Sequence, residues 1–354
     1  MALDTSPDIS PKLAKSLKIN LLLLNNLGPD RDEFFTCLTD MLAINGTTPL
    51  ETNDTDPRQF RQAGEGECGT VFTRDKGCCA VKVAKIDEDA LYDDYEMHTW
   101  IDEQFFKLRE KKVNVPYCYD FFTENSSENP ELRRAIAAAG GCPTAAMLET
   151  ERIPPLPQRV REELIRLFCD PARQDMALAD DKNKDCLVRL YLGSLNTKPG
   201  GPFSLRDFNL HLNDMRKLQL PTAKYADCMA YAMAVLHWEA MVDARGVEFV
   251  LGGSRFAFAQ IRTTQFWVID FDQCQLITLD NEGVDHAIEA AKANDPFLPA
   301  LGAFRSQSLV WTVFCVNYLN YSHEILDKEL WHLPERFLRG LAKRPPVVPW
   351  LNED

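Results

Sequence analysis

The chain has 354 residues, of which 45% are hydrophobic, and a formal net charge of −14 from 39 basic and 53 acidic side chains. Such a length can bury a large core in two lobes or domains, and no apolar run approaches the ~20 residues that cross a bilayer. The acidic balance disfavours broad, unspecific nucleic-acid binding. We therefore expect no membrane partner and no stable DNA binding.

The cysteines bear on the compartment and on metal binding. There are eleven of them, an odd number, and no two are spaced as a C-x-x-C pair. The first residues lack the basic and apolar regions of a secretory signal, so we expect reduced thiols in a cytoplasmic protein. The absence of zinc-ligand spacing predicts no structural zinc, and we expect no bound cofactor.

Hydrophobic periodicity predicts three regions, which are a helical extension over 1–60, a β-containing lobe over 61–153 and a mainly helical lobe over 154–354. The predicted helices before the second boundary cover 12–27, 31–44 and 88–111, and the predicted strands 62–85, 113–122 and 145–153, with one turn at 75–77 and an insertion or loop at 123–141. In the last region the helices are predicted at 158–168, 205–218, 222–245 and from 285 onward, with strand-like runs at 186–192, 247–251 and 265–269.

A glycine-rich loop is the first motif that carries chemistry. Gly64, Gly66 and Gly69 follow the order G-x-G-x-x-G-x-V, and Lys82 stands on the next apolar strand. Glycines let the backbone approach a ligand closely, and the lysine supplies a point charge for an anion. Glu96, in the following helix, is the predicted ion-pair partner of Lys82. The alternative for Glu96 is a solvated charge on an acidic helix.

Two later segments add carboxylates. Asp243 occupies the aspartate position of a kinase catalytic loop, but Glu248 stands where that loop has a metal-binding asparagine. Asp270 and Asp272 end an apolar strand as Asp-Phe-Asp, which is similar to the Asp-Phe-Gly of kinases and to the Ile-Asp-Phe of aminoglycoside phosphotransferases. His237, before the loop, is more typical of a core residue than of a ligand.

These motifs together resemble a protein-kinase-like or aminoglycoside-phosphotransferase-like scaffold. The resemblance implies an α+β fold with two lobes, a β-containing N-lobe and a mainly helical C-lobe, and it implies a metal at Asp270. Four carboxylates in one cleft raise one another's pKa unless a cation is bound. The cleft therefore suits Mg²⁺ or an organic cation such as a guanidinium, which binds carboxylates in bidentate pairs.

Several segments resemble one fungal family more closely than kinases in general. The family was long recorded as a domain of unknown function and is often labelled a zinc-finger protein. Its members with assigned chemistry are similar to arginine-containing cyclodipeptide synthases, which condense arginyl-tRNA with a second aminoacyl-tRNA. The resembling segments are 183–193, 203–208, 236–238, 243–252, 267–274 and 293–297.

This resemblance implies aminoacyl-tRNA partners, no need for ATP, and a base at Asp243 or Glu248 that takes a proton from the attacking amine. Ser254 is the candidate for a covalent route. The tRNA needs basic contacts, for which the candidates are Lys107, Arg109, Lys111 and Lys112, and Arg336, Arg339, Lys343 and Arg344. The alternatives are an ATP-dependent kinase, in which the altered catalytic loop is unfavourable, and a pseudokinase binding module without catalysis.

Overall fold

The computed structural model describes residues 33–49, 59–66, 68–74, 77–85, 87–108, 111–196, 203–206, 208–255, 261–294, 296–301 and 305–342. The chain divides into two compact units, Met1–Cys37 and Leu38–Asp354. The helix predicted at 12–27 lies outside the described residues, and of the first unit only 33–37, at the start of a helix, are described. The predicted boundaries at 60 and 153 stay predictions.

The protein is α+β, as the sequence predicts. Its helices are α1 (Glu33–Leu42), α2 (Glu88–Lys107), α3 (Pro130–Ala138), α4 (Gln158–Phe168), α5 (Gln174–Ala179), α6 (Leu212–Lys217), α7 (Thr222–Ala234), α8 (Asn281–Ala293), α9 (Arg305–Ile325) and α10 (His332–Ala342). Its strands are β1 (Thr47–Pro49), β2 (Phe60–Glu65), β3 (Gly69–Arg74), β4 (Cys79–Ala84), β5 (Cys118–Phe122), β6 (Met147–Glu151), β7 (Val188–Tyr191), β8 (Phe208–His211), β9 (Glu248–Gly253) and β10 (Ile261–Ile269).

The first sheet has the order β2-β3-β4-β6-β5, and all of its pairings are antiparallel. Side chains alternate between its two faces. Met147 packs with Leu132 and Ile136 of α3 on one face, whereas Leu148 packs with Leu91 of α2 on the other. Because Lys82 lies opposite Leu148 in the β4–β6 register, the lysine side chain is on the α2 face of this sheet.

The second sheet has the order β1-β10-β9-β7-β8. Its pairings are antiparallel except that of β7 with β8, which is parallel. Ile269, the last residue of β10, lies opposite Glu248, the first residue of β9. The carboxyl ends of β7, β8 and β10 and the amino end of β9 therefore share one edge, which we call the C-edge.

The later helices form their own packed layer. α7 packs against α9, and α8 packs against α10. A π-helical turn, Val235–Glu239, extends α7; such turns often occur at functional sites. Within the described residues, no helix combines the length and the apolar character that crossing a bilayer requires.

Several predicted elements are confirmed and others are wrong. The helix at 158–168 and the strand runs at 186–192, 247–251 and 265–269 have counterparts in the structure. Residues 62–85 belong to three strands rather than two, because the glycine-rich segment is itself a hairpin turn. Residues 208–211 form β8 rather than helix, and 130–138 form α3 rather than loop. The region 154–354 therefore also contains four strands of the second sheet, and the fifth, β1, comes from the predicted helical extension.

Candidate functional site

The glycine-rich segment connects β2 and β3 as a tight hairpin, in which Gly66 N–H donates to the Gly69 carbonyl at 2.9 Å. Gly69 lies directly over Lys82. A Cβ at position 69 would be 2.8 Å from Lys82 Cγ and 2.8 Å from the Val83 carbonyl oxygen, whereas a Cβ at Gly64 would meet nothing closer than 3.7 Å. The third glycine is therefore needed for the close approach of the lysine side chain.

Lys82 is held between two carboxylates. Its Nζ lies 2.7 Å from Asp94 Oδ2 and 3.2 Å from Asp272 Oδ2, and all three side chains are largely buried. Burial alone would lower the pKa of Lys82, but the charges of Asp94 and Asp272 outweigh burial and raise its pKa. The lysine is therefore a permanent cation that joins the first sheet, α2 and the turn after β10.

The predicted pairing of Lys82 with Glu96 is wrong. Helix α2 buries Leu91, Asp94, His98 and Ile101 on one face, whereas Glu96 is exposed and interacts with Tyr92. Residues two positions apart in an α-helix point about 200° apart around the helix axis, so Asp94 and Glu96 cannot both face Lys82. Glu96 is a solvated charge, as the alternative interpretation has it, and Asp94 is the partner of Lys82 that the sequence analysis missed.

Asp272 also contacts the glycine hairpin. Burial, followed by the interaction of its thiol with Asp272, raises the pKa of Cys68 to about 11. The hairpin and the Asp-Phe-Asp segment, which are more than 190 residues apart in sequence, therefore meet at Lys82 and Asp272, as the kinase-like interpretation expects. Cys68 was not singled out from the sequence, because a single cysteine carries no spacing signal.

Asp243 is not available as a base. Its side chain is only 2% exposed, and its Oδ1 accepts hydrogen bonds from the backbone N–H groups of Arg245 and Gln275, each at 3.0 Å. These bonds fix the turn after the π-helical segment to the chain after β10. In this conformation a substrate cannot reach Asp243, so the structure does not support its predicted catalytic role.

His237 is a core residue, in agreement with the structural alternative. It is fully buried, and its Nδ1 lies 2.8 Å from the Tyr318 hydroxyl oxygen. Burial lowers the pKa of His237 to about 3, so the imidazole is neutral.

Glu248 already has a guanidinium partner. Arg189, on the neighbouring strand β7, donates from Nε to Glu248 Oε2 at 2.6 Å, and both side chains are partly exposed. No sequence spacing links residues 189 and 248; the pairing of β7 with β9 brings them together. A substrate guanidinium would therefore have to share Glu248 with Arg189 or replace it.

Asp270 differs from the other three predicted carboxylates. It follows β10 in a left-handed conformation, with φ of 68°, which aims its side chain away from the strand direction. It is exposed to solvent, yet the surrounding protein desolvates its carboxylate. We call the place that it shares with Asp272 and Glu248 the acidic recess. Desolvation there, followed by the charges of Asp272 and Glu248, raises the pKa of Asp270 to about 7. Among the four, Asp270 is the carboxylate that a ligand can reach without displacing a partner.

The other predicted features have mixed outcomes. Arg336 pairs with Asp285 and Arg339 approaches Glu335, so the second basic patch is partly neutralised. Lys107 and Lys111 lie over the rings of Trp100 and Phe106, and Lys112 pairs with Asp227 at 3.6 Å.

Ser254 Oγ accepts a hydrogen bond from Thr263 N–H, a structural contact. Arg109, Lys343 and Arg344 lie outside the described residues.

Comparisons with known proteins give limited similarity. A family model described as "Zinc finger protein" matches residues 266–330, which agrees with the family label that the sequence resemblance brings with it. Among the described residues, no group of three or more histidine, cysteine or acidic side chains is arranged to hold a metal ion. No curated protein matches the chain. The structure of a microcompartment-associated aminopropanol kinase matches at 11% identity over 86% of this chain and 93% of the kinase, with a TM-score of 0.20, which is too low to indicate a common fold.

Proposed function

We propose that this protein is a tRNA-dependent arginine-containing cyclodipeptide synthase on a kinase-like, two-lobed scaffold. Three features support the scaffold: the antiparallel order β2-β3-β4-β6-β5, the glycine hairpin over Lys82, and the pairing of Lys82 with α2 through Asp94. An aminoacyl-tRNA substrate implies a cytoplasmic location. The two partners are arginyl-tRNA and a second aminoacyl-tRNA.

The observation that carries the proposal is the accessible carboxylate of Asp270 beside Glu248. Desolvation raises the pKa of Asp270, and the charges of Asp272 and Glu248 add to this effect, so these carboxylates repel one another and a cation among them would relieve that repulsion. A guanidinium suits this place because it donates in a planar fork to carboxylate oxygens. Arg189 Nε already donates to Glu248 Oε2, so the substrate guanidinium binds Asp270 and shares Glu248 with Arg189.

The chemistry needs an uncharged amine and a proton acceptor. The amine nitrogen of one aminoacyl group attacks the ester carbonyl carbon of the other, and the 3′ oxygen of the tRNA leaves with the electron pair of the broken C–O bond. A carboxylate takes the amine proton and returns it to the 3′ oxygen. Because Asp270 binds the guanidinium, this base is Glu248, one of the two candidates from the sequence. A second attack, by the remaining amine on the remaining ester, closes the ring. Because both esters are already activated, the reaction consumes no ATP.

The basic face at the end of α2 is the tRNA contact that best fits this proposal. Lys107 and Lys111 each lie over an exposed or half-exposed aromatic ring, and such pairs suit contact with phosphates and unstacked bases. This face is small, and the chain as a whole is acidic, so tRNA affinity would rest on few contacts and would be sensitive to salt.

One observation favours a second candidate, a nucleotide-dependent phosphotransferase or a pseudokinase that binds without catalysis. Lys82 lies under the glycine hairpin and is paired with α2, an arrangement that in kinases orients a lysine toward phosphates. In this protein Asp272 also binds Lys82, so an incoming phosphate would compete with a carboxylate for the same ammonium group.

Expression of the full chain in a bacterial host tests the proposal. The culture medium is searched by mass spectrometry for arginine-containing cyclic dipeptides that are absent from cells with the empty vector. We expect such a product, and we expect the Asp270→Asn variant to lower its amount at least tenfold. The exposed Glu282→Gln variant is the matched control and should retain it. A phosphorylated metabolite or protein in place of a cyclic dipeptide would favour the phosphotransferase.

A further inference from the structure

A serine and a histidine outside the acidic recess form a second polar pair. Ser194 Oγ lies 2.8 Å from His211 Nδ1, and both residues are half-buried. In the tautomer that carries its proton on Nε2, the histidine accepts a hydrogen bond at Nδ1 from the serine hydroxyl. A serine within hydrogen-bond reach of a neutral imidazole is the arrangement that activates an oxygen nucleophile.

An aromatic contact and a nearby carboxylate surround the histidine. His211 is the last residue of β8, and its ring packs edge-on against Tyr191, with the ring centroids 5.2 Å apart. Asp214, in the first turn of α6, is 4% exposed, and its oxygens interact with Asn196 Nδ2 at 3.3 Å and Lys217 Nζ at 3.7 Å. Burial lowers the pKa of His211 and the charge of Asp214 opposes that change. The imidazole is therefore neutral at physiological pH, with a carboxylate nearby that stabilises the imidazolium formed when it takes up a proton.

The Ser194–His211 contact is not needed to anchor the loop that carries the serine. Leu212 N–H donates to the Ser194 carbonyl at 3.2 Å. Asn196 N–H donates to Asn213 Oδ1 at 2.8 Å, and Asn213 Nδ2 donates to the Asn196 carbonyl at 3.0 Å. These three bonds already fix the loop to the start of α6, so the hydroxyl–imidazole bond is available for chemistry.

The pair lies at the C-edge of the second sheet. Tyr191 and His211 end the parallel strands β7 and β8 side by side, and Ser194 is three residues beyond Tyr191. Glu248 begins β9 at the same edge, whereas Asp270 follows β10, which β9 separates from β7. The pair and Asp270 therefore lie at different places along this edge.

We propose that Ser194 and His211 form an ester-cleaving site in which Ser194 is the nucleophile, His211 is the base, and Asp214 is a positioning residue. The substrates are carboxylic esters. This activity is separate from dipeptide formation and does not depend on it.

The reaction has two balanced steps. Ser194 Oγ attacks the ester carbonyl carbon, while His211 takes the hydroxyl proton and returns it to the departing alcohol as the C–O bond breaks. Water then attacks the acyl-serine, His211 transfers the proton of the water to Ser194 Oγ, and the carboxylic acid leaves. The sum is an ester and water converted to an acid and an alcohol.

The test treats the full chain with p-nitrophenyl acetate and, separately, with a fluorophosphonate probe. Release of nitrophenol is followed by absorbance, and the labelled residue is located by peptide mass spectrometry. We expect the label on Ser194, and we expect Ser194→Ala and His211→Asn each to lower the rate roughly 100-fold or more. The exposed Ser204→Ala variant is the control. Asp214→Asn should shift the pH–rate profile toward lower pH, because the charge of Asp214 raises the pKa of His211.

Two outcomes would overturn the inference: no label on Ser194 in the wild-type protein, or an unchanged rate in a folded Ser194→Ala variant. Cyclic dipeptide formation is measured in the same variants. A Ser194→Ala variant that loses ester cleavage but keeps dipeptide formation supports both proposals as separate activities. A labelled Ser194 in a protein that makes no dipeptide supports the ester-cleaving site and contradicts only the proposed function.

Discussion

Lys82 Nζ lies 2.7 Å from Asp94 Oδ2, on the face of α2 opposite to Glu96. The register of β4 with β6 places the lysine on the α2 side of the first sheet, and Asp94 is the acidic residue on the buried face of that helix. The pair therefore forms because the alternation of side chains along β4 directs Lys82 toward α2, and the helical repeat of α2 directs Asp94 toward the sheet.

The first prediction concerns this pair. Replacement Asp94→Asn should lower the free energy of unfolding by roughly 3 kcal/mol, the lower end for loss of one partner of a buried pair, because Lys82 keeps Asp272. Glu96→Gln, at an exposed position of the same helix, should change it by less than about 0.5 kcal/mol. Urea unfolding of both variants measures the difference. Equal effects would contradict the assignment of Asp94 as the partner.

The second prediction concerns the glycine hairpin. Gly69→Ala places a methyl group 2.8 Å from both Lys82 Cγ and the Val83 carbonyl oxygen, and the backbone oxygen cannot move easily. We expect a loss of about 1–3 kcal/mol. Gly64→Ala is the matched control, since its added methyl group meets only ordinary contacts. If thermal unfolding showed Gly64→Ala to be the more damaging variant, the geometry described for the hairpin would be wrong.

The third prediction concerns pH. The pKa of Asp270 is raised from an ordinary value of 3.8 to about 7, so between these pH values the folded protein keeps a proton that the unfolded chain has released. Stability therefore falls as pH rises through this window. The Asp270→Asn variant lacks this loss and should gain stability relative to the wild type between pH 4 and pH 7. Urea unfolding at several pH values tests this; a constant difference would show that Asp270 has an ordinary pKa.

The fourth prediction concerns the basic face of α2. If Lys111 contacts a tRNA phosphate, Lys111→Gln should weaken tRNA binding and reduce the slope of log affinity against log salt by about 1. Arg339→Gln is the control, because Arg339 already lies near Glu335. Filter binding over a range of salt concentrations measures both slopes. Equal slopes in the wild type and the Lys111 variant would place the tRNA elsewhere.

Local patterns predicted much of the fold. The helix at 158–168 and the strand runs around 188–191 and 265–269 have strong periodicity, and the structure confirms them. The short strand β8 was missed because its alternation over 208–211 merges with the helical spacing of the next turn. Its position is determined by parallel pairing with β7, a long-range contact that no local window contains.

The candidate site was predictable only in outline. The glycine order and the two aspartates after β10 indicated which segments meet, but not which side chains remain accessible. The Asp243 carboxylate is buried and accepts two backbone hydrogen bonds. Glu248 forms an ion pair with Arg189 because β7 and β9 are neighbours in the sheet. Both effects come from tertiary contacts between segments that are distant in sequence, so residue type and spacing cannot reveal them.

The central claim is that the acidic recess recognises the arginyl group through Asp270. Its most direct test supplies purified protein with a pool of aminoacylated tRNAs that contains arginyl-tRNA and measures cyclic dipeptides by mass spectrometry. Asp270→Asn keeps the shape but removes a charged hydrogen bond of ~1.5–3 kcal/mol, so product formation should fall at least tenfold, a factor that corresponds to ~1.4 kcal/mol. Glu282→Gln should leave it unchanged, and added ATP should make little difference. Full dipeptide formation by the Asp270→Asn variant, or an absolute requirement for ATP with transfer of phosphate, would contradict the claim.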